Sequence, residues 1–550
     1  MTLSATLSAL LGALGLQAAA PQETQPETGI AVQELGAIHP LEVDAGGTLP
    51  EAVWTSGEAV ALRALAEALP PVGRGWDEPA AARLALRTLL SGGPPPSGLE
   101  DRYALAALRA RKALAAGRPQ PVLRLLERTP QIQESEPLSR TYAELAFAMG
   151  RTDAACQAAE ALLEGRDAPY WLRARAVCLA VDGNIPAAEL TAELARAQAA
   201  DPGFDTVFDA YTLDRPLDDA FTPATGLQLA LAALAAPERR LTVAPQAPAW
   251  LARAAARTGP AISLPQTLPE ALEAALTLDG EARQAALGAI LQQDLDRVIA
   301  AEALAIRLRD AAEAGEFVEA ASAYGAEVAR LPITADTLAH GRLFVLAALA
   351  ADDVVAAEDW REALFEGPPE PVGAEGSNSG PEAAPSTGPS TLNAPASFDG
   401  ANAEPLGPEW TPPGPAVMVE LDFARAVAAG RIADDAFAAL LAARIEDATP
   451  PRLCQAAMLS ALGAKDGGAL RAAMTGLARD EDAPAPSLAP GLLAASAGAL
   501  GESALHAALA LETAPADVEA CVGAAVILRT GGLEGEALRL VLELILEEAA

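Results

Sequence analysis

A fixed interval governs this sequence. Gly117, Gly150 and Gly183 stand 33 residues apart, and Glu127, Glu160 and Glu193 keep the same step. The aligned copies read KALAAGRPQPVLRLLE, LAFAMGRTDAACQAAE and CLAVDGNIPAAELTAE. Each is an Ala/Leu-rich stretch at helical spacing, a glycine, and a second such stretch. A helix pair of this kind hides one apolar stripe internally and leaves another that only a neighbouring pair can cover. Such hairpins must stack.

A period in the low thirties with two helices per unit predicts a helical-hairpin solenoid of tetratricopeptide (TPR-like) type. The glycine sits where the first helix ends, because it takes up a left-handed turn without a Cβ penalty. Thr152 and Asp153 are candidate N-caps for the helix that follows, and Pro186 suits the first turn of its counterpart. Ala154–Ala155 and Ala187–Ala188 fall where two hairpin helices would cross closely. The rhythm returns late in the chain. Ala436, Ala469, Ala504 and Ala537, in DAFAALL, GALRAAM, SALHAAL and EALRLVL, are spaced 33, 35 and 33 residues apart.

The expected fold is all-α, a TPR-like α-solenoid in two arrays joined by a disordered linker. Residues 1–20 read as a signal peptide, 21–50 as an extended segment and 51–365 as the first array. Residues 366–415, rich in Pro, Gly, Ser and Asn, read as a flexible tether that cannot offset chain entropy by burial. Residues 416–550 form the second array. Within the first, helices are expected from Trp54 to Leu69, from Pro79 to Leu90 and from Asp101 onward. Residues 281–314 read as one long helical pattern. A hairpin of Ala335–Ala350 and Asp353–Phe365 follows, with His340 on a helix face. Phe204, Phe208, Tyr211 and Phe221 form an aromatic cluster suited to plugging the inner face of the array, with a peptide groove as the alternative.

Aromatics make up only 4% of the chain, so packing relies on Ala, Leu and Val, and strand patterns are nearly absent. The net charge is −36, and Lys112 and Lys465 are the only lysines. Nucleic acid is excluded as a partner, since phosphate neutralisation needs basic clusters. An anionic membrane surface would be repelled as well. A basic protein partner, bound cations or solubility alone suit such a field.

Met1 to Ala20 is apolar and uncharged in its side chains, with a small-residue cleavage zone at Ala18–Ala20 and Pro/Gln/Glu-rich sequence beyond. This predicts export to the periplasm, although basic residues are missing from its start; a cytoplasmic apolar helix is the alternative. No integral span is expected in the mature chain.

Three phrases, ELGAIHPLEVDAGGTLPEAVW, ACQAAEALLEGRDAPYWLRARAVC and GNIPAAELTAELARAQ, resemble a family of secreted helical proteins of alphaproteobacteria, most without an assigned function. The resemblance covers roughly residues 34–208. It implies export, a TPR-like array, cysteines matched by Cys156 and Cys178, and no catalysis.

Cys156 lies on the second helix of one hairpin and Cys178 on the first helix of the next, neighbours in a solenoid, so an exported chain is expected to bridge them. Whether Cys454 and Cys521 pair stays open, because nothing in the sequence sets their helices side by side. The spacings match no zinc site, and only His39, His340 and His506 could add ligands.

No phosphate-binding loop, G-x-S-x-G elbow or H-E-x-x-H is present, and no cofactor is expected. Glu502–Ser503 is similar to the Glu-Ser pair of lytic transglycosylases, but that domain's supporting motifs are missing. The pair instead starts a solenoid helix, where the carboxylate serves as an N-terminal charge. The last helix, LRLVLELILEEAA, is apolar on almost every side. It either folds back into the core or presents Leu538, Val541, Leu542 and Ile545 to a partner. The expected function is a non-enzymatic periplasmic scaffold that binds protein through its concave face in an envelope assembly, such as a flagellar motor. The alternatives are a peptidoglycan-associated accessory or enzyme, and a cytosolic repeat adaptor.

Overall fold

A computed structural model describes residues 38–259, 265, 267–278, 280–293, 297–367, 411–446, 449–465, 468–475 and 487–550. The stretch read as a signal peptide, most of that read as an extended segment and most of that read as a tether lie outside the described residues. Those described are all-helical, with one isolated bridge between Glu58 and Ser97 in place of any strand. No described helix is long and apolar enough to cross a membrane.

The first hairpins comprise α1 (Ala59–Ala68), α2 (Pro79–Leu90), α3 (Ala104–Ala115) and α4 (Pro119–Arg128). The repeat continues through α5 (Glu136–Ala148), α6 (Thr152–Ala161), α7 (Pro169–Val181) and α8 (Ile185–Gln198), each helix packed on the one before it. Gly117, Gly150 and Gly183 separate the two helices of each pair at φ +75°, +72° and +79°, a region L side chains avoid. At Gly150 the Arg151 N–H reaches back to the Ala146 carbonyl, and at Gly183 the Asn184 N–H reaches that of Leu179. Both are Schellman closures. Thr152 and Asp153 are not caps: α6 begins at Thr152 after Arg151, with no side-chain cap bond. The Schellman closure already places the chain there, and Asp153 contributes as a first-turn charge. Ala155 and Ala188 are fully buried where small side chains let helices close up.

Next come α9 (Pro202–Thr212), α10 (Gly226–Ala235) and α11 (Ala249–Ala255). α10 packs on both α9 and α5, so this stretch folds back over the hairpins. Phe204 and Phe208 stack at 5.3 Å and are buried, with Tyr211 and Phe221 against the same core, so these rings fill space instead of lining a groove. The long helical pattern at 281–314 is two helices, α13 (Gly280–Leu291) and α14 (Arg297–Glu313), after α12 (Leu268–Leu276). Folding back lets Leu287 and Ile290 bury against Ala303 and Ile306, which a straight helix would leave in water. α15 (Phe317–Val328), α16 (Ala335–Leu338), α17 (Gly341–Ala350) and α18 (Val354–Glu366) complete the first part.

The second part contains α19 (Pro415–Ala428), α20 (Asp435–Ile445), α21 (Pro450–Ala461) and α22 (Ala469–Thr475), followed by α23 (Ala489–Ser496), α24 (Leu500–Thr513), α25 (Val518–Thr530) and α26 (Glu534–Ala549). Its register is carried by glycine more faithfully than by alanine. Gly430, Gly463, Gly498 and Gly532 all have positive φ, and each is followed by a Schellman closure, as from Arg431 N–H to the Ala426 carbonyl and from Leu533 N–H to that of Leu528. Of the alanines that mark the sequence rhythm, Ala504 and Ala537 are fully buried but Ala436 is exposed.

The two parts are not separate bodies. His39–Ala550 forms one compact unit with a contiguous apolar core from Leu41 to Ala549. α24 lies along α1 and α2, α26 meets α2, α15 and α17, and α19 meets α17 and α18. Small residues permit this approach: Ala80 and Ala81 of α2 and Ala504, Ala507 and Ala508 of α24 are fully buried. At Gly501 a Cβ would lie 2.5 Å from the Val53 carbonyl oxygen, so no larger residue fits.

Candidate functional site

The first turn of every helix leaves backbone N–H groups without intrahelical partners. Here carboxylates from distant helices supply them. Glu512 on α24 accepts from the Asp77 and Glu78 N–H groups at the start of α2, both at 3.0 Å through its Oε2 atom. Glu502, also on α24, accepts from the Glu58 N–H at the head of α1 at 3.1 Å. Glu547 on α26 takes the Phe317 and Val318 N–H groups of α15 at 3.2 and 3.3 Å. Glu144 on α5 takes the Gly226 N–H of α10 at 2.7 Å. Negative charge at these helix starts also complements the macrodipole. Three of the four clasp the second part to the first.

Ion pairs complete the clasp. On α2, Arg83 donates to Glu543 at 3.0 Å and to Glu547 at 2.7 Å, while Arg87 donates to Glu543 at 2.6 Å and to Glu536 at 3.0 Å. Arg83, Arg87 and Glu543 are buried. Burial alone would raise the Glu543 carboxyl, but the Arg87 and Arg83 guanidiniums overcome it and hold it below its ordinary value. Glu502, Glu78, Glu144 and Glu319 lie on the other side of that balance. Burial raises each, with backbone donors or arginines only partly opposing it. Arg109 anchors the N-terminal segment from the inside. Its buried guanidinium donates to the carbonyls of Leu41, Val43, Leu89 and Ser91. Burial draws it down to about 9, which leaves it charged at neutral pH.

These contacts reassign several residues singled out in the sequence. Glu502 caps α1, and the Ser503 hydroxyl donates to the Ala499 carbonyl of its own helix turn, so the pair does not face a substrate space. α26 folds into the core. Val541 and Ile545 are fully buried and Leu538 and Leu542 half-buried, because α2, α15, α17, α19, α21 and α25 occupy the face that a partner would need. Cys156 and Cys178 lie at disulfide distance, with Sγ atoms 2.03 Å apart. Cys454 and Cys521 do too, at 2.09 Å, since α21 packs directly against α25. His340 is the N-cap residue of α17 and is buried, its Nε2 2.6 Å from Glu302 Oε2. His39 Nδ1 accepts from the Leu41 N–H, and His506 is half-buried, which lowers it.

A cleft of about 170 Å³ is lined by Leu291, Gln293, Arg297, Ala300, Leu304, Glu327, Arg330 and Leu331. Arg330 pairs there with Glu327, and Arg297 holds the Arg330 carbonyl. Among the described residues no cluster of three or more His, Cys, Asp and Glu side chains is arranged to hold a metal ion.

The outward register of the hairpins is where the chain varies its chemistry. Positions 124 and 128 on α4 are Arg, the equivalent positions on α6 are Gln157 and Ala161, and those on α8 are Leu190 and Leu194, all six exposed. Leu190 and Leu194 are 64% and 53% exposed, and among the described residues no other exposed large apolar side chains stand four apart. Sequence periodicity alone hid them, because a leucine at helical spacing reads as core. No family model, no curated protein and no solved structure matches this chain.

Proposed function

We propose that this chain is a non-catalytic helical-repeat scaffold of the periplasm that binds protein through the outward face of its hairpins and serves an envelope assembly. The observation that carries the proposal is the contrast within α3–α8. The glycine turns and buried alanines repeat, while the outward positions change from arginine to glutamine and alanine to leucine. A constant frame with a variable surface is the economy of repeat-protein recognition. Buried carboxylates with shifted protonation often mark catalysis. In this chain those that are hydrogen-bonded to helix starts have a structural use, and Glu502, the residue that favoured a cell-wall enzyme, is among them. Two cysteine pairs at disulfide distance suit an oxidising compartment.

The test is photo-crosslinking from positions 124, 157 and 190 in cells that make the protein, combined with periplasmic fractionation. Discrete protein adducts from outward positions, absent when the crosslinker sits at buried Ala188, are expected. Retention by isolated cell-wall sacculi with no protein adduct would replace the scaffold with a wall-binding accessory. Recovery in the cytosol with all four thiols free would replace the compartment.

A further inference from the structure

We infer that the outer face of α8, the ridge Pro186–Leu190–Leu194–Ala197, seats an amphipathic helix from another protein, one with apolar anchors and a flank of lysine or arginine. This rests on the scaffold reading and names its surface. α7–α8 is the last hairpin in register. α8 lies on α7 through Ala188, Ala192 and Ala195, all buried. The chain then turns into α9, which pairs with α10 instead of laying another hairpin against α8. A terminal hairpin is where a repeat array ordinarily turns polar, since no neighbour follows. This array does the reverse. The register is Arg124 and Arg128 on α4 and Gln157 and Ala161 on α6, and it becomes leucine only at the end.

Two leucines four residues apart make a ridge along one helix face, and a partner helix meets such a ridge with its own apolar residues three and four apart. Charge selects the partner. Glu189 and Glu193 run down one side of the ridge, both exposed, and the chain carries a net charge of −36. Arg196 is drawn aside, held by Glu193 and Asp205. A second copy of this chain would set carboxylates against carboxylates, whereas a cationic amphipathic helix gains on both counts. The ridge is small, so the complex is a transient one.

The experiment uses the full chain and two fluorescein-labelled helical peptides, one of leucine and lysine and one of leucine and glutamate, read by anisotropy at several salt concentrations. The lysine peptide is expected to bind and the glutamate peptide not. Leu190→Gln with Leu194→Ala installs the preceding hairpin's own residues and should weaken binding on the order of tenfold. Because both sites are exposed, the variant's thermal unfolding should match the parent's. Glu189→Gln with Glu193→Gln should flatten the salt dependence. Unchanged binding by the leucine variant would show attraction to the acidic surface at large and overturn the inference. So would a dimer in sedimentation that the leucine variant dissolves. If crosslinks from positions 124 and 157 persist in that case, the scaffold reading survives without this seat.

Discussion

Glu543 is the residue on which the clasp between the two parts can be measured. It lies on α26, buried, between Arg83 and Arg87 of α2, with Arg539 at 3.5 Å. Glu543→Gln keeps the shape and one acceptor oxygen but removes the charge. Arg83 retains Glu547 and Arg87 retains Glu536, so neither guanidinium is stranded. Each nevertheless has a buried Nη2 with no acceptor, so little local hydrogen bonding is left to compensate. Removing one partner of a buried pair costs about 3–5 kcal/mol. The surviving pairs place this case at the lower end, about 3 kcal/mol. That is on the order of a hundredfold faster amide exchange across α26 if α26 opens as a unit.

The pH dependence supplies the sign. Because the folded Glu543 sits below its ordinary value, its contribution is present above the unfolded carboxyl value of about 4.5 and is lost as pH falls through the folded one. Glu502, Glu78, Glu144 and Glu319 are raised and act oppositely: their contribution is present in acid and lost as pH rises through their folded values. These terms are common to parent and variant and cancel in the difference. Hydrogen exchange of α26 amides by mass spectrometry should therefore show a gap between the two proteins at neutral pH that closes in acid. A variant as well protected as the parent at pH 7, or a gap that stays constant into acid, would refute the assignment.

Glu512→Ala removes the acceptor at the start of α2 and should cost about 1–2 kcal/mol, with the Asp77 and Glu78 amides losing protection first. Replacing Cys454 and Cys521 by serine opens a span of 67 residues and should cost about 4 kcal/mol, against about 3 kcal/mol for the 22-residue span of Cys156 and Cys178. Urea unfolding with and without reductant checks both values, and free thiols in non-reduced peptides would remove the basis for either. Gly532→Ala meets no neighbouring atom, so its cost is the conformational one alone, about 1–2 kcal/mol. Gly501→Ala adds a clash with the Val53 carbonyl and should lower the melting temperature further.

Much of the local structure was written in the sequence. Gly117, Gly150 and Gly183 end helices in left-handed turns because the requirement is local: a turn of positive φ, with the closing hydrogen bond a few residues away. Helix α2 starts at Pro79 and ends at Leu90, as its proline and its glycine–proline stop require. Alanine does not mark the second repeat reliably, since it serves buried and exposed helix positions alike, as Ala504 and Ala436 show.

Tertiary structure decided what no window of sequence could hold. Glu512 and the two amides it caps are 435 and 434 residues apart, and nothing in its own neighbourhood distinguishes it from the other acidic residues. Arg83 and Glu543 are 460 apart. The pairing of Cys454 with Cys521 follows from α21 lying on α25, and the burial of Val541 and Ile545 from six helices closing over α26. Helix formation and hairpin turning depend on neighbours within a few residues, so the amino-acid order fixes them. Which stripe meets which, and which carboxylate reaches which helix start, depends on how the rigid pairs pack together, because only packing brings those groups within hydrogen-bond distance and excludes the water that would otherwise screen them.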